Sequence, residues 1–138
     1  MAGPSGKSIV QKLGLKPGFC IFVDGLSVAY SDIVGELPDG VRLMTAAKPP
    51  LDAVHLFAAE VKGLGAKLSG CRQAIAPDGM IWVSWPKQGS GVATDLSDIA
   101  VRDIALAAGL VDIKVCAVNE VWSGLKFVIP VKDRGKGK

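Results

Sequence analysis

The apolar positions of this chain follow two periods, and each period predicts a different kind of element. Continuous apolar runs bounded by turn residues predict β-strands, and they occupy residues 19–23, 41–45, 53–59 and 80–85. Apolar residues that step by three and four positions predict amphipathic helices, here over 60–76 and 95–108. Shorter helices are expected after the capping residues Ser8 and Ser31. Helices and strands therefore alternate along most of the chain.

The last part of the chain predicts a β-hairpin. The apolar segments DIKVCAVNEVW and LKFVIPV are separated by Ser123 and Gly124, and a two-residue loop of this kind is typical of a tight turn between antiparallel strands. With the alternating elements upstream, this predicts a three-layer, Rossmann-like α/β fold. Its sheet is mostly parallel, helices cover both faces, and the C-terminal hairpin adds an antiparallel strand.

One connection limits this topology. Residues 46–52 would return the chain from the second strand to the third without a helix. Seven extended residues reach only about 23–25 Å, which is barely enough to run back along a strand. Either this connection is fully extended, or the strand at 41–45 is an irregular edge strand.

The composition predicts a single domain over residues 1–138 with a sizeable core. Of the 138 residues, 49% are hydrophobic and 21% are charged. No apolar stretch has the length of a membrane span, and the N-terminus lacks the apolar core of a signal peptide, so we expect a cytoplasmic protein without a membrane partner. The apolar excess also predicts a homodimer, with the hairpin around Trp122 and the strand at 41–45 as candidate contacts.

The charge is concentrated at the C-terminus. The formal net charge is +3, and the segment KDRGKGK (132–138) accounts for all of it, because the remaining acidic and basic residues balance. We expect a flexible basic tail over 132–138 and a flexible N-terminus over 1–7. A basic tail without a basic face argues against a nucleic-acid partner. The segment GPSGKS (3–8) is not a P-loop, since two residues rather than four separate its glycines and no strand precedes it.

Candidate residues for catalysis or metal binding are few. The three cysteines are widely spaced within apolar segments, which is typical of buried thiols. His55 is the only histidine, so we predict no metal site and assign no catalytic residue. His55 lies in the middle of a strand, where it is either a buried, hydrogen-bonded side chain or a base. Asp24 ends the first strand, where it is either a turn residue or the best acid–base candidate.

The segment SWPKQGSGVATDL (84–96) is the leading candidate for a binding site. It leaves a strand at the carboxyl edge of the sheet, exposes glycine amides and leads into a helix N-terminus, which attracts anions. Alternation within the strand sends Trp82 to the core and leaves Trp85 freer. We therefore predict a site for a small anionic ligand, formed by Asp24, Gly25, Trp85, Pro86, Lys87, Gly89, Ser90, Gly91, Thr94 and Asp95. The alternative is a mobile loop that carries a core tryptophan.

The segment AIAPDGMIWVSW (74–85), the helix after it and the closing hairpin resemble the class I S-adenosylmethionine-dependent methyltransferase fold in a truncated form. The whole chain also resembles a small uncharacterised bacterial family, a domain of unknown function. The phrases that carry this likeness are SGKSIVQKLGLKPG, WVSWPKQGSGVATDL and GLVDIKVCAVNEVWSGLKFV. The first resemblance implies the fold and a methyl-donor cofactor, whereas the second implies no activity.

The chain departs from the methyltransferase pattern where that cofactor would bind. The turn after the first strand, residues 25–29, holds one glycine instead of the three in G-x-G-x-G. The second strand ends in Met44-Thr45-Ala46-Ala47, without the acid that holds the ribose hydroxyls in that fold. We therefore expect no cofactor and a non-catalytic module that binds a small ligand or a protein. The alternative is a reduced methyltransferase, or another enzyme that uses the same cleft.

Overall fold

The computed structural model of the chain describes residues 8–134. The expectations for the N-terminal seven residues, with most of the GPSGKS segment, and for residues 135–138 of the tail lie outside the described residues. Within residues 8–134, no helix is long and apolar enough to cross a membrane.

Four helices and six strands follow one another in the described chain. The helices are α1 (Ile9–Leu13), α2 (Tyr30–Val34), α3 (Leu64–Ala74) and α4 (Asp98–Ala107). The strands are β1 (Cys20–Asp24), β2 (Arg42–Met44), β3 (Leu51–Phe57), β4 (Ile75–Pro86), β5 (Val111–Ala117) and β6 (Trp122–Val128). A short 3₁₀ turn, Val131–Asp133, follows the last strand.

The six strands form one sheet in the order β2-β1-β3-β4-β6-β5. Strands β1 to β4 pair in parallel, and β6 is antiparallel to both β4 and β5. One hydrophobic cluster joins α3 and α4 to one face of the sheet, and a second joins α1 and α2 to the other. The predicted three-layer, mostly parallel α/β fold is confirmed.

The short β2 explains how the chain manages without a helix between β2 and β3. Strand β2 has three residues and lies at the edge of the sheet, paired only with β1. Met44 lies level with Phe22, and Phe22 lies level with Val54, so the chain steps back only from the level of Val54 to Leu51. That distance is about 10 Å along the strand, and residues 45–50 span it easily. Strand β2 is thus a short, regular parallel edge.

The hairpin turn lies elsewhere than predicted. Ser123 and Gly124 are inside β6, opposite Ala117 and Cys116 of β5, and the chain reverses over residues 118–121. Asn119 forms this turn because its Oδ1 accepts hydrogen bonds from the backbone N–H groups of Val121 and Trp122, both at 2.8 Å. Asparagine commonly forms turns in this way, and Asn119 is therefore the turn signal of this segment.

Several boundaries also differ from the predicted ones. Helix α3 starts at Leu64 because Gly63 before it has a φ of +80°. The Pro-Asp-Gly segment at 77–79, read as a turn, lies within β4, where the pairing with β3 shifts register. Residue 132, where the flexible tail was expected to begin, lies in the 3₁₀ turn, and Arg134 Nε donates to the carbonyl of Ile129 at 3.0 Å.

The two predicted dimer contacts differ in solvent exposure. Leu43 of the edge strand β2 is 46% exposed. Trp122 of the hairpin is half-buried and packs edge-on against Phe57, with 5.0 Å between ring centroids. The homodimer stays a prediction.

Gly25 is where β1 comes closest to β3. Its φ is +94°, and a Cβ added there would overlap the carbonyl oxygen of Phe57 at the end of β3. We predict that Gly25→Ala lowers the free energy of unfolding by about 3 kcal/mol or more, because the backbone of β3 must move in addition to the left-handed strain.

Gly18→Ala is the matched control for this substitution. Gly18 also has a positive φ, +79°, but nothing lies within 4 Å of an added Cβ. Gly18→Ala should lower the free energy of unfolding only by the cost of the left-handed backbone conformation, about 1–2 kcal/mol. If urea unfolding gave the same decrease in the free energy of unfolding for both variants, the contact of Gly25 with Phe57 would be unimportant.

Candidate ligand site at the carboxyl edge of the sheet

The parallel strands deliver the predicted site residues to one edge of the sheet. Asp24 ends β1 and Pro86 ends β4, and both strands run parallel to β3 between them. Asp24 and Lys87 therefore lie on the same edge, where open α/β sheets bind ligands. The structure nevertheless places them in two separate clefts.

The larger cleft, the Trp85 cleft, has a volume of about 450 Å³ and lies between the end of β4, the start of α4 and strands β5 and β6. Four of the predicted residues line it: Trp85, Pro86, Lys87 and Thr94. Six others were not predicted: Gln88, Leu96, Ser97, Asp98, Val115 and Ser123. Val115 and Ser123 come from strands far along the chain, and sequence spacing carries no signal for them.

Trp85 forms an unusual wall of this cleft. Its side chain packs in the core beside Leu96 and is only 5% exposed, so the expectation that it lies free of the core is wrong. Its Nε1–H donates to none of the described residues. Every buried side-chain nitrogen or oxygen among these residues has a partner, so the Trp85 nitrogen itself is not buried. The Nε1–H is therefore open to the cleft. Trp82, on the opposite face, donates its Nε1–H to the carbonyl of Leu13 at 2.9 Å.

Thr94 and Asp95 hold the loop instead of capping α4. Thr94 Oγ1 donates to the carbonyl of Ala59 at 2.6 Å, and Asp95 Oδ1 accepts from the backbone N–H of Val61 at 2.8 Å. Both contacts tie the end of the loop to the segment after β3. The cap of α4 is Ser97, whose Oγ accepts from the N–H of Ala100 at 3.2 Å. The predicted start of this helix at residue 95 is thus corrected to Asp98.

The predicted glycine amides lie outside the cleft lining. Gly89 and Gly91 have φ values of +86°, and Ser90 between them donates its N–H to the carbonyl of Lys87 at 3.0 Å. The segment 89–91 is a turn at the protein surface. These three residues shape the loop and do not line the Trp85 cleft.

Asp24 lines the second cleft, of about 350 Å³, with Phe22, Leu56 and Cys71. Its Oδ2 forms an ion pair with Lys67 Nζ of α3 at 2.7 Å, and both side chains are partly exposed. Burial, followed by the charge of Asp24, raises the pKa of the Cys71 thiol to about 11, so this thiol stays protonated at neutral pH. Gly25 lines neither cleft.

A chain of hydrogen bonds lies in the core below this edge, and it includes His55, one of whose two readings from the sequence was a buried, hydrogen-bonded side chain. Tyr30 Oη lies 2.7 Å from His55 Nδ1, and His55 Nε2 lies 2.7 Å from Ser84 Oγ. His55 and Ser84 are fully buried, and Tyr30 is nearly so. Burial lowers the pKa of His55 to about 3, so its imidazole is neutral and has one N–H and one acceptor for its two neighbours. In the sequence, the sign of this hydrogen-bond chain is His55 itself, a polar residue within the apolar run of β3.

The residues at the end of β1 and β2 do not fit the conventional mode of methyl-donor binding. Gly25 packs directly against the carbonyl oxygen of Phe57 at the end of β3. The carboxylate of Asp24 is already paired with Lys67, and β2 leads into Thr45, Ala46 and Ala47, which offer no acid.

Solved structures of similar shape include S-adenosylmethionine-dependent methyltransferases. A SAM-dependent methyltransferase from Aquifex aeolicus has a TM-score of 0.65 at 15% identity, covering 88% of this chain and 88% of its own. A 1,6-didemethyltoxoflavin-N1-methyltransferase from Burkholderia thailandensis, solved with S-adenosylhomocysteine, gives 0.59 at 11% identity, covering 86% and 73%. Magnesium protoporphyrin IX methyltransferase from Synechocystis PCC 6803, with bound SAM, gives 0.56 at 11%, covering 88% and 74%. At these identities the likeness shows the fold alone, a Rossmann-like methyltransferase fold.

The chain belongs to the family described as "Protein of unknown function (DUF3052)", whose model matches residues 27–131. The suspected membership in a domain family of unknown function is confirmed. No curated protein matches the sequence.

The buried histidine makes stability depend on pH. The folded protein holds the pKa of His55 near 3, whereas the unfolded chain has the ordinary value of 6.5. Because the unfolded state binds the proton first, stability is full above about pH 7 and falls as the pH drops through 6.5 towards 3. We predict a loss of about 3 kcal/mol between pH 7 and pH 4 from this residue, measured by urea unfolding.

His55→Gln is the comparison for this effect, because an amide can still bridge Tyr30 and Ser84 without titrating. Its stability should change far less between pH 7 and pH 4. Parallel pH profiles for the two proteins would show that His55 is protonated inside the fold.

Proposed function

We propose that this protein is a non-catalytic binding module that holds a small anionic ligand in the Trp85 cleft. The observation that carries the proposal is the unpaired Nε1–H of Trp85, a donor on an almost fully buried side chain that opens into a cleft. A donor that opens into a cleft is bonded to water in the free protein, and an acceptor atom of a ligand would take the place of that water.

The rest of the cleft supports a ligand with one negative group and an apolar body. Lys87 contributes a positive charge at the end of β4, and Leu96 and Val115 contribute apolar surface. The cleft volume of about 450 Å³ lies within the usual range for small-molecule sites. Asp98 also lines the cleft, and its carboxylate would repel a second negative charge. This favours a monoanion over a polyphosphate.

Two features support a binding role over catalysis. The single histidine is sealed in the core and neutral, so it does not reach either cleft as a general base. The ion pair with Lys67 holds Asp24, the acid–base candidate, in the other cleft. Neither group faces Trp85 and Lys87.

A titration followed by nuclear magnetic resonance tests this proposal at one atom. We expect the indole N–H resonance of Trp85 to shift as benzoate, a monoanion with an apolar body, is added. The indole N–H resonance of Trp82 should stay in place, because it is bonded to Leu13 and lies on the other face. Lys87→Ala should weaken the binding at least about tenfold, since a charge-assisted hydrogen bond contributes roughly 1.5–3 kcal/mol.

Lys48→Ala is the matched control, because Lys48 is exposed at the same edge but follows β2. It should leave the titration unchanged. A Trp85 resonance that fails to move, or that moves equally in Lys87→Ala, would contradict the proposed site.

The second candidate is a reduced methyltransferase, or another enzyme that uses the same cleft, completed by a second subunit. It is favoured by the fold alone, which the chain shares with methyltransferases that were solved with SAM or S-adenosylhomocysteine. Isothermal calorimetry with SAM and with S-adenosylhomocysteine separates the two candidates. We expect no heat of binding for either compound, and micromolar affinity for either would favour the enzyme.

A further inference from the structure

The charges outside the tail balance in number but not in position. Four lysines meet on one side of the sheet: Lys12 in the last turn of α1, Lys16 just after it, Lys114 on β5 and Lys126 on β6. We call this group the lysine face. The expectation that the body of the chain has no basic face is therefore corrected, because a net charge says nothing about where charges lie.

Strand register sets the centre of the lysine face. Lys114 lies directly opposite Lys126 in the antiparallel pair of β5 and β6. Directly opposed residues in such a pair point to the same side of the sheet. Lys126 is in turn opposite Trp82, which packs in the cluster with α1, so this side is the one that carries α1.

Helix α1 brings the other two lysines to the same place. The Nζ of Lys126 lies only 4.0 Å from where a Cβ of Gly14 would stand, at the end of α1. Burial lowers the pKa of Lys126, and the charges of Lys114 and Lys16 lower it further. Burial raises the pKa of the Cys116 thiol on β5, and the charges of Lys12, Lys114 and Lys87 act in the opposite direction.

This arrangement is unfavourable in the protein by itself. Like charges directly opposite each other on neighbouring strands destabilise a sheet. Among the described residues, none of the four lysines forms an ion pair, although three ion pairs occur elsewhere. The lysine face thus concentrates positive charge without an internal counter-charge, and an anionic partner would supply one.

An aromatic side chain extends the lysine face. Trp122 lies on the same side of β6 as Lys126, four residues before it and about 13 Å away along the strand. It is half-buried and so keeps part of its indole accessible. Lysines that contact phosphates beside an aromatic ring that stacks on a base are the usual components of single-strand binding surfaces.

We propose that the lysine face and Trp122 bind single-stranded nucleic acid, with the four ammonium groups on the phosphates and the indole against a base. The lysines supply point charges that require no particular sequence. The indole distinguishes a nucleic acid from an acidic peptide, which carries charge but no bases. This site lies on the opposite side of the sheet from α4, and the proposal is independent of the Trp85 cleft.

Fluorescence anisotropy with a labelled oligothymidine tests the proposal on the full chain. The double variant Lys114→Ala/Lys126→Ala should bind at least about tenfold more weakly at moderate salt. Two lost phosphate contacts should also reduce the slope of log K against log salt by about 1.4. Trp122→Phe should weaken binding with no change in this slope, because stacking releases no counterions.

The matched control is Lys136→Ala/Lys138→Ala, which removes the same charge from the tail and should leave the affinity within about twofold. Lys114→Glu places an acid opposite Lys126 and should weaken binding while raising the melting temperature, which separates lost binding from unfolding. Three results would each overturn the proposal. The tail variant could lose as much affinity as Lys114→Ala/Lys126→Ala, polyglutamate could compete as effectively as oligothymidine, or the protein could fail to bind oligothymidine at low salt.

Discussion

The hydrogen-bond chain from Tyr30 through His55 to Ser84 connects α2, β3 and β4 through the centre of the protein, and the other features of the carboxyl edge are arranged around it. A fully buried imidazole is tolerated only because a hydroxyl group contacts each of its nitrogens at 2.7 Å. The same burial keeps the imidazole neutral and out of reach of solvent. The single histidine therefore contributes to the structure of the core and not to a reaction at the surface.

The carboxyl edge of the sheet, where open α/β sheets bind ligands, holds two separate clefts in this protein. Gly25 brings the end of β1 onto the carbonyl of Phe57. Asp24 turns to Lys67 of α3 and lines one cleft, whereas Trp85 and Lys87 line another. The chain thus has a Rossmann-like methyltransferase fold, and the larger cleft lies at the end of β4, beside α4.

The two proposed sites use the two sides of the same strands. Ser123 faces the Trp85 cleft, and its neighbours Trp122 and Gly124 point to the side that carries α1, as alternation along β6 requires. Gly124 also leaves room for Ser84 Oγ, which would be only 3.3 Å from an added Cβ. The hairpin of β5 and β6 therefore supports the buried hydrogen-bond chain, one wall of the cleft and the centre of the lysine face.

The sequence by itself determined the layers of this fold. Strands that are buried on both faces show as continuous apolar runs, and helices that bury one face show as apolar residues spaced three or four positions apart. The sequence also indicated that Trp85, Pro86 and Lys87 leave a strand at the ligand-binding edge. It misplaced the hairpin turn, because Ser123 and Gly124 look like turn residues whereas Asn119 forms the turn through its side chain. Only the tertiary structure decided that Thr94 and Asp95 hold the loop, that His55 meets Tyr30 and Ser84, and that Lys114 opposes Lys126. These contacts join residues far apart in the chain, and strand order and register, which bring them together, follow from the packing of the whole sheet.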